Sequence, residues 1–203
     1  HYALDEKWHK ILKPFVKKIM VIDDLADKNI DCDVLLNQNL GSKKEDYKNK
    51  VPNDCRLLLD CEYALLRPEF GKLRSQALEK RKNTKRIKNI LVSMGGSDTK
   101  NFTYDILQNV GDNFNITVVL GMLSPHNKMV QNYAKDKDIK VIINASNMAE
   151  LMLEADLAIG AGGSTSWERC CLGLPTLLFV TAENQRAVAE NLEHSGAVII
   201  VEN

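Results

Sequence analysis

Leu157-Ala158-Ile159-Gly160-Ala161-Gly162-Gly163-Ser164-Thr165-Ser166-Trp167-Glu168-Arg169-Cys170-Cys171-Leu172 passes from a short apolar segment through a glycine turn into a segment with helical spacing. Gly173 and Pro175 close the helix, and the apolar run 176–180 follows. Two short apolar runs joined by a helix read as a β-α-β unit, whose strands are parallel because only a crossover can join parallel neighbours. The unit repeats on both sides. Strands are expected over 90–94, 116–120, 141–143 and 198–201, and helices over 102–110, 129–134, 148–154, 164–172 and 184–194. The strands are apolar on both faces, which marks a doubly wound parallel sheet with helices on each side. Ligands of such sheets bind at the carboxyl ends of strands, near the point where strand order reverses.

Upstream, the pattern is less regular. A helix over 5–15 would place Trp8, Ile11, Leu12 and Phe15 on one face, with Pro14 ending or bending it. Buried strands are expected over 18–22 and 33–37, a polar loop over 39–54, strand or extended chain over 56–59, and an irregular connection over 61–70. Gly71 to Lys88 carries eight basic residues and one acid, Glu79. With no aromatic residue for base stacking, this run reads as a solvated helix and linker rather than a nucleic-acid tail. The division falls near residue 70. Residues 1–68 and 69–203 are then expected to be separate domains.

Composition narrows the function. The 203 residues are 44% hydrophobic and 27% charged, with 27 basic and 27 acidic side chains and a net charge of zero. Disorder is excluded, and there is no global field to hold a nucleic acid or an anionic membrane. No apolar run approaches the ~20 residues of a membrane span, and residues 1–18 lack the apolar stretch of a signal peptide. The five cysteines follow no CxxC pattern, so reduced thiols and a cytoplasmic location are expected. No histidine pair has metal-ligand spacing, and neither a metal nor a cofactor is expected. Val21-Ile22-Asp23-Asp24 resembles the acidic pair of receiver domains. No later strand-end Asp and Lys complete such a site, so the two acids read as turn residues. The chain begins at His1 without a methionine, and a fragment of a longer protein is expected.

Two glycine clusters follow strands at the binding edge: Ser93-Met94-Gly95-Gly96-Ser97-Asp98 and Gly160 to Ser166. Glycines admit close backbone approach, and N–H groups at a helix start attract anions. The hydroxyls of Ser164, Thr165 and Ser166 add donors. Together they suit a diphosphate, although each cluster could equally be a turn with a helix cap. Neither is a dinucleotide fingerprint or a P-loop, because the glycine spacing and the Gly-Lys-Ser/Thr ending are absent. Glu168, one turn into the following helix, could accept from the two hydroxyls of a ribose, or could complete a capping box begun at Thr165. Asn184 and Gln185 could bind sugar hydroxyls or phosphate, or Asn184 could cap its helix.

Taken together, Gly160 to Pro175, Ala182-Glu183-Asn184-Gln185, Ser93 to Asp98 and Glu62-Tyr63-Ala64-Leu65-Leu66-Arg67-Pro68-Glu69-Phe70 resemble the PseG family, the UDP-sugar hydrolases of pseudaminic acid biosynthesis. The glycine, Ser-Glu and Gly-Pro core is shared more widely with MurG-like glycosyltransferases. The resemblance implies a GT-B architecture, with residues 1–68 the C-terminal part of one Rossmann-like domain and 69–203 a nearly complete second one, and metal-free hydrolysis of UDP-2,4-diacetamido-2,4,6-trideoxy-β-L-altropyranose to UDP and the free sugar. It gives Glu168 to the ribose and lines the diphosphate with Gly162, Gly163, Ser164, Thr165, Ser166, Gly95 and Gly96. Asn184 falls at the sugar with Gln185 beside it, and Tyr2 matches the tyrosine of an Asp-His-Tyr motif at the active-site cleft. The family's Gly-x-Gly-His loop, with its general-base histidine, is missing from this sequence. The expectation is therefore a chain that binds UDP or a UDP-sugar and hardly turns it over. Alternatives are a MurG-like glycosyltransferase and a non-catalytic nucleotide-sugar binding module. The strands over 18–22 and 33–37, without their sheet neighbours, are expected to leave an open edge prone to self-association.

Overall fold

The computed structural model describes residues 3–202. The chain divides into two compact units that part between Leu65 and Leu66.

In the first unit, α1 (Glu6–Leu12) is capped by Asp5, whose carboxylate accepts from the backbone N–H of Lys7 and Trp8. Pro14 lies in a 3-10 turn, Lys13–Phe15, that ends the helix. The apolar stripe expected to be covered is open: Trp8, Ile11 and Phe15 are exposed, and His9 is the buried residue of the helix. Burial pulls the His9 pKa below its ordinary value, with Asp31 and Asp5 acting against this. Three short strands, β1 (Met20–Ile22), β2 (Val34–Asn37) and β3 (Arg56–Leu59), make a parallel sheet in that order. The sequence expectation fails for β1, where Met20 and Ile22 are exposed. Met20 and Ile22, two residues apart, share the uncovered face, while Val21 on the other face packs against the core of Ile30, Leu35 and Tyr47. The expectation that both 18–22 and 33–37 lack sheet neighbours is corrected for the second. β2 is paired on both sides, so among the described strands of this sheet only β1 and β3 are edges. Asp23 is more than a turn residue. It is buried, accepts from Ala26 N–H at 2.8 Å and from Tyr47 Oη at 2.8 Å, and Tyr47 Oη accepts from Asn37 Nδ2 at 2.9 Å. Burial and the Asp23 carboxylate together push the Tyr47 pKa far up.

The second unit begins with α2 (Pro68–Asn83), with its proline in the first turn where no N–H is missed. Next come β4 (Asn89–Ser93), α3 (Phe102–Asn109), β5 (Asn115–Leu120), α4 (Asn127–Lys135), β6 (Lys140–Ile143) and α5 (Met148–Glu154). The chain continues through β7 (Leu157–Ala161), α6 (Thr165–Cys171), β8 (Thr176–Phe179), α7 (Arg186–His194) and β9 (Ile199–Val201). All strand pairs are parallel, in the order β6-β5-β4-β7-β8-β9. Successive residues of the central strands feed opposite cores. Leu91, Val119 and Ala158 pack with Phe70, Met152 and Leu172. Ile90, Val92, Val118, Leu120 and Ile159 pack with Ile106, Leu107 and Val130. Both faces are covered by apolar side chains, as the unbroken apolar runs require.

The basic run of α2 is neither a tail nor merely solvated. Arg81 donates to the carbonyls of Met152 and Ala155 at 2.7 Å, and Lys80 to those of Leu153 and Ala155. Cations thus meet the negative carboxyl end of α5. Among the described residues no helix is long and apolar enough to cross a membrane.

Asp156 fixes one end of the β4–β7 seam. Its carboxylate accepts from Lys88 and Asn89 N–H at 3.0 and 2.9 Å and pairs with Lys80 Nζ at 3.1 Å. Burial alone would raise its pKa, but Asn89 N–H, the Lys80 ammonium and Lys88 N–H outweigh burial and hold it below the ordinary value. A carboxylate depressed in the native state stabilises above its unfolded pKa of ~4. That stability is lost as pH falls through the native pKa, because the unfolded chain then binds the extra proton. Asp156→Asn is expected to cost about 1.5–3 kcal/mol at neutral pH, the worth of hydrogen bonds to a buried charge. It should also flatten the acid limb of a denaturation series between pH 7 and 3. A wild-type acid limb retained in the variant would show that other groups set it.

Candidate functional site

The order β6-β5-β4-β7-β8-β9 reverses direction between β4 and β7. Ser93 stands opposite Gly160 in the register. The two glycine clusters picked out in the sequence therefore leave neighbouring strands side by side at the carboxyl edge, where a crevice opens in sheets of this order.

The loop after β7 is built around its glycines. A Cβ at Gly160 would lie 2.7 Å from the Ser93 carbonyl and 2.6 Å from Arg169 Nη1. Gly163 has φ +117, a conformation that side chains other than glycine's rarely adopt. Ser166 N–H and Trp167 N–H bond back to the carbonyls of Gly163 and Ser164. Among the described residues, the N–H groups of Gly163, Ser164 and Thr165 take no backbone partner. Ser164 is exposed and Thr165 half-buried, and Ser164 makes no side-chain cap. Ser166 is turned inward, and its Oγ accepts from Arg169 Nη2 at 3.1 Å, so it braces the loop from beneath.

The loop after β4 turns on Gly95 (φ +87), with Gly95, Gly96 and Ser97 exposed. Asp98 faces away from any ligand role, since its carboxylate caps α3 through the N–H groups of Phe102 at 2.9 Å and Thr103 at 3.0 Å. A third loop, after β5, presses on this one. A Cβ at Gly121 would sit 1.9 Å from the Gly96 carbonyl oxygen. Asn127 Nδ2 donates to the Gly121 carbonyl at 3.0 Å, and His126 Nε2 lies 3.1 Å from the Thr99 carbonyl oxygen. The loop after β8 closes the other side. Gln185 packs on Gly162, and its Oε1 accepts from Thr181 N–H and Oγ1 at 3.1 and 3.0 Å.

Glu168 lies in the first turn of α6. The capping-box reading fails. The helix starts at Thr165, so Glu168 is a residue too far along, and no such bond forms. Instead Glu168 Oε1 accepts from Arg67 Nε at 3.3 Å and Nη2 at 3.2 Å. Arg67 also pairs with Glu69 at 3.2 Å and stacks over the Phe70 ring at 5.1 Å. Asn184 caps nothing either. It is exposed on the 3-10 turn Glu183–Gln185, which precedes α7, so the helix expected from residue 184 starts at Arg186. Tyr2 lies outside the described residues.

The structure thus gathers Gly95, Gly96, Gly162, Gly163, Ser164, Thr165, Glu168 and Gln185 along one sheet edge. Sequence spacing did not single out Gly121, Arg67 or Arg169. A glycine directly after an apolar strand was a usable signal for the first. The spacing of Arg67, just before α2, and of Arg169 gave none, because a lone arginine is ordinarily a surface residue. Chemically, the edge offers unpaired N–H donors for an anion and a carboxylate for a diol.

Residues 69–203 match the family model described as the glycosyltransferase family 28 C-terminal domain. An uncharacterized protein of Methanocaldococcus jannaschii is 33% identical over 91% of this chain and 40% of its own length. The UDP-2,4-diacetamido-2,4,6-trideoxy-beta-L-altropyranose hydrolase of Campylobacter jejuni is 29% identical over 97% of this chain and 70% of its own. The chain therefore spans less than half of the first relative. Among solved structures, MurG of Acinetobacter baumannii superposes with a TM-score of 0.56 at 14% identity, covering 97% of this chain and 56% of that one, which shows a MurG-like GT-B fold.

Proposed function

This chain belongs to the glycosyltransferase family 28 C-terminal domain family, and on that footing we propose that its second unit holds the UDP end of a UDP-sugar. The observation that carries this reading is the pair of glycine loops at the β4–β7 reversal, with three unpaired N–H groups on one of them. A diphosphate spans Gly163, Ser164 and Thr165 on one side and Gly95 and Gly96 on the other. The ribose diol donates to Glu168, whose Oε1 is steadied by Arg67. Gln185 and Asn184 face the sugar side.

For the whole protein the proposed reaction is hydrolysis of UDP-2,4-diacetamido-2,4,6-trideoxy-β-L-altropyranose. Water forms a bond to the anomeric carbon and loses a proton, and the bond from that carbon to the UDP oxygen breaks. The charge growing on UDP is met by the loop donors. Similarity to the C. jejuni hydrolase supports this reading. The family's transferase chemistry is the second reading, in which an acceptor hydroxyl replaces water. Product analysis separates the two, because only hydrolysis places solvent oxygen on the released sugar.

Calorimetric titration with UDP, and with ADP as control, tests the site itself. Saturable binding of UDP is expected, even near millimolar, which corresponds to about −4 kcal/mol. Heat with neither nucleotide, or equal binding of ADP, would overturn the uridine assignment.

A further inference from the structure

Arg169 lies under the glycine loop with its side chain buried to 3% exposure. Its Nη2 donates to the Ala161 carbonyl at 2.8 Å and to Ser166 Oγ at 3.1 Å. Its Nε is buried with no partner. Among the described residues no carboxylate lies within ion-pair distance of it. Burial pulls its pKa down to about 10, while Cys170 and Glu168 act through space in the other direction. It therefore remains a cation at neutral pH, enclosed and without a paired anion. Isolated buried charges are among the costliest groups a fold can carry.

Arg169 thus grips both ends of the turn, Ala161 at the end of β7 and Ser166 in α6, and between them the N–H groups of Gly163, Ser164 and Thr165 take no backbone partner among the described residues. We propose that Arg169 is the positioning residue of the anion loop, holding its shape through Ala161 and Ser166, and that its missing counter-charge is a diphosphate seated on that loop. The inference rests on the nucleotide reading above but goes further, by naming a residue that acts on the ligand's charge without touching it. Glycine at 160 follows from the same arrangement, since any side chain there would collide with the guanidinium. Through-space attraction in a poorly solvated interior is worth on the order of 10-fold in affinity for each charge so faced.

The probes are inorganic pyrophosphate, UDP, ADP and uridine, titrated into the wild-type chain and into Arg169→Met and Arg169→Lys. Methionine keeps the apolar stem and removes the charge; lysine keeps the charge and loses the fork. Pyrophosphate and UDP are expected to bind Arg169→Met at least ~10-fold more weakly, with a smaller loss for Arg169→Lys. Uridine binding should be the same in all three. Where a variant does not fold, the wild-type chain with 15N-labelled arginine replaces it. The protected Nε–H signal of Arg169 should move on saturation with pyrophosphate and stay still with uridine. Pyrophosphate binding of wild-type strength in a folded Arg169→Met, or an unmoved Nε–H signal at saturation, overturns the proposal. A wild-type chain that binds pyrophosphate but prefers UDP no more than ADP sinks the uridine reading and leaves Arg169 in its role. Binding of neither pyrophosphate nor UDP overturns both.

Discussion

Gly121→Ala is expected to abolish measurable UDP binding while leaving a folded chain. A methyl group there would stand 1.9 Å from the carbonyl oxygen, 2.5 Å from the carbonyl carbon and 2.6 Å from the Cα of Gly96. All three are backbone atoms, so no side-chain rotation relieves the overlap. The loop after β4 or the loop after β5 has to move. The second is tied down by Asn127 on the Gly121 carbonyl. The first is exposed at Gly95 and Gly96 and gives way more readily. Overpacking of this kind costs about 1–3 kcal/mol of stability. Displacing donors by even an ångström costs on the order of 100-fold where geometry decides function. A melting curve alongside calorimetry with UDP checks both halves. Wild-type UDP affinity in a folded Gly121→Ala would show that the loop after β4 is not part of the site.

Glu168→Ala should reduce UDP affinity by about 10- to 100-fold, the range for a hydrogen bond to a charged group of about 1.5–3 kcal/mol. The loss should depend on the sugar hydroxyls. Wild-type protein should prefer UDP over 2′-deoxy-UDP, and Glu168→Ala should hold the two alike. Arg67 makes the comparison sharper, because it bonds to Oε1 through both Nε and Nη2. In Glu168→Ala that guanidinium keeps Glu69 and the Phe70 ring, so the change is confined to the diol. Equal discrimination between the two nucleotides in wild-type and variant would remove Glu168 from the ribose.

The second unit was legible because its signals are local. Apolar runs bounded by glycine and polar turns fix each strand, and helices between them force parallel pairing, so 90–94 and 157–159 emerged within a residue or two of β4 and β7. The glycine loops were legible for the same reason. What escaped notice depends on residues far apart in the chain. Gly121 matters only because Gly96 lies against it, and Arg67 only because α6 brings Glu168 to it. Arg169 sits at a helical position that sequence periodicity would leave on either face. In the first unit, the stripe of Trp8, Ile11 and Phe15 has the right spacing for a core face and is nevertheless exposed. Periodicity shows which residues share a side, not whether that side is covered.

The β4–β7 seam joins parts of the chain separated by two complete strand–helix repeats, whereas β4–β5 and β7–β8 are closed by single crossovers. Contacts of long sequence separation carry the larger entropy of loop closure and tend to form late. The seam is therefore expected to be among the last pairings made, with Asp156 bolting its amino end and the glycine loops forming its carboxyl end. A ligand seated across those loops meets its full binding surface only when the two halves are joined. Its effect on lifetime then falls on the rate at which the two halves separate, and not on the rate at which they find each other.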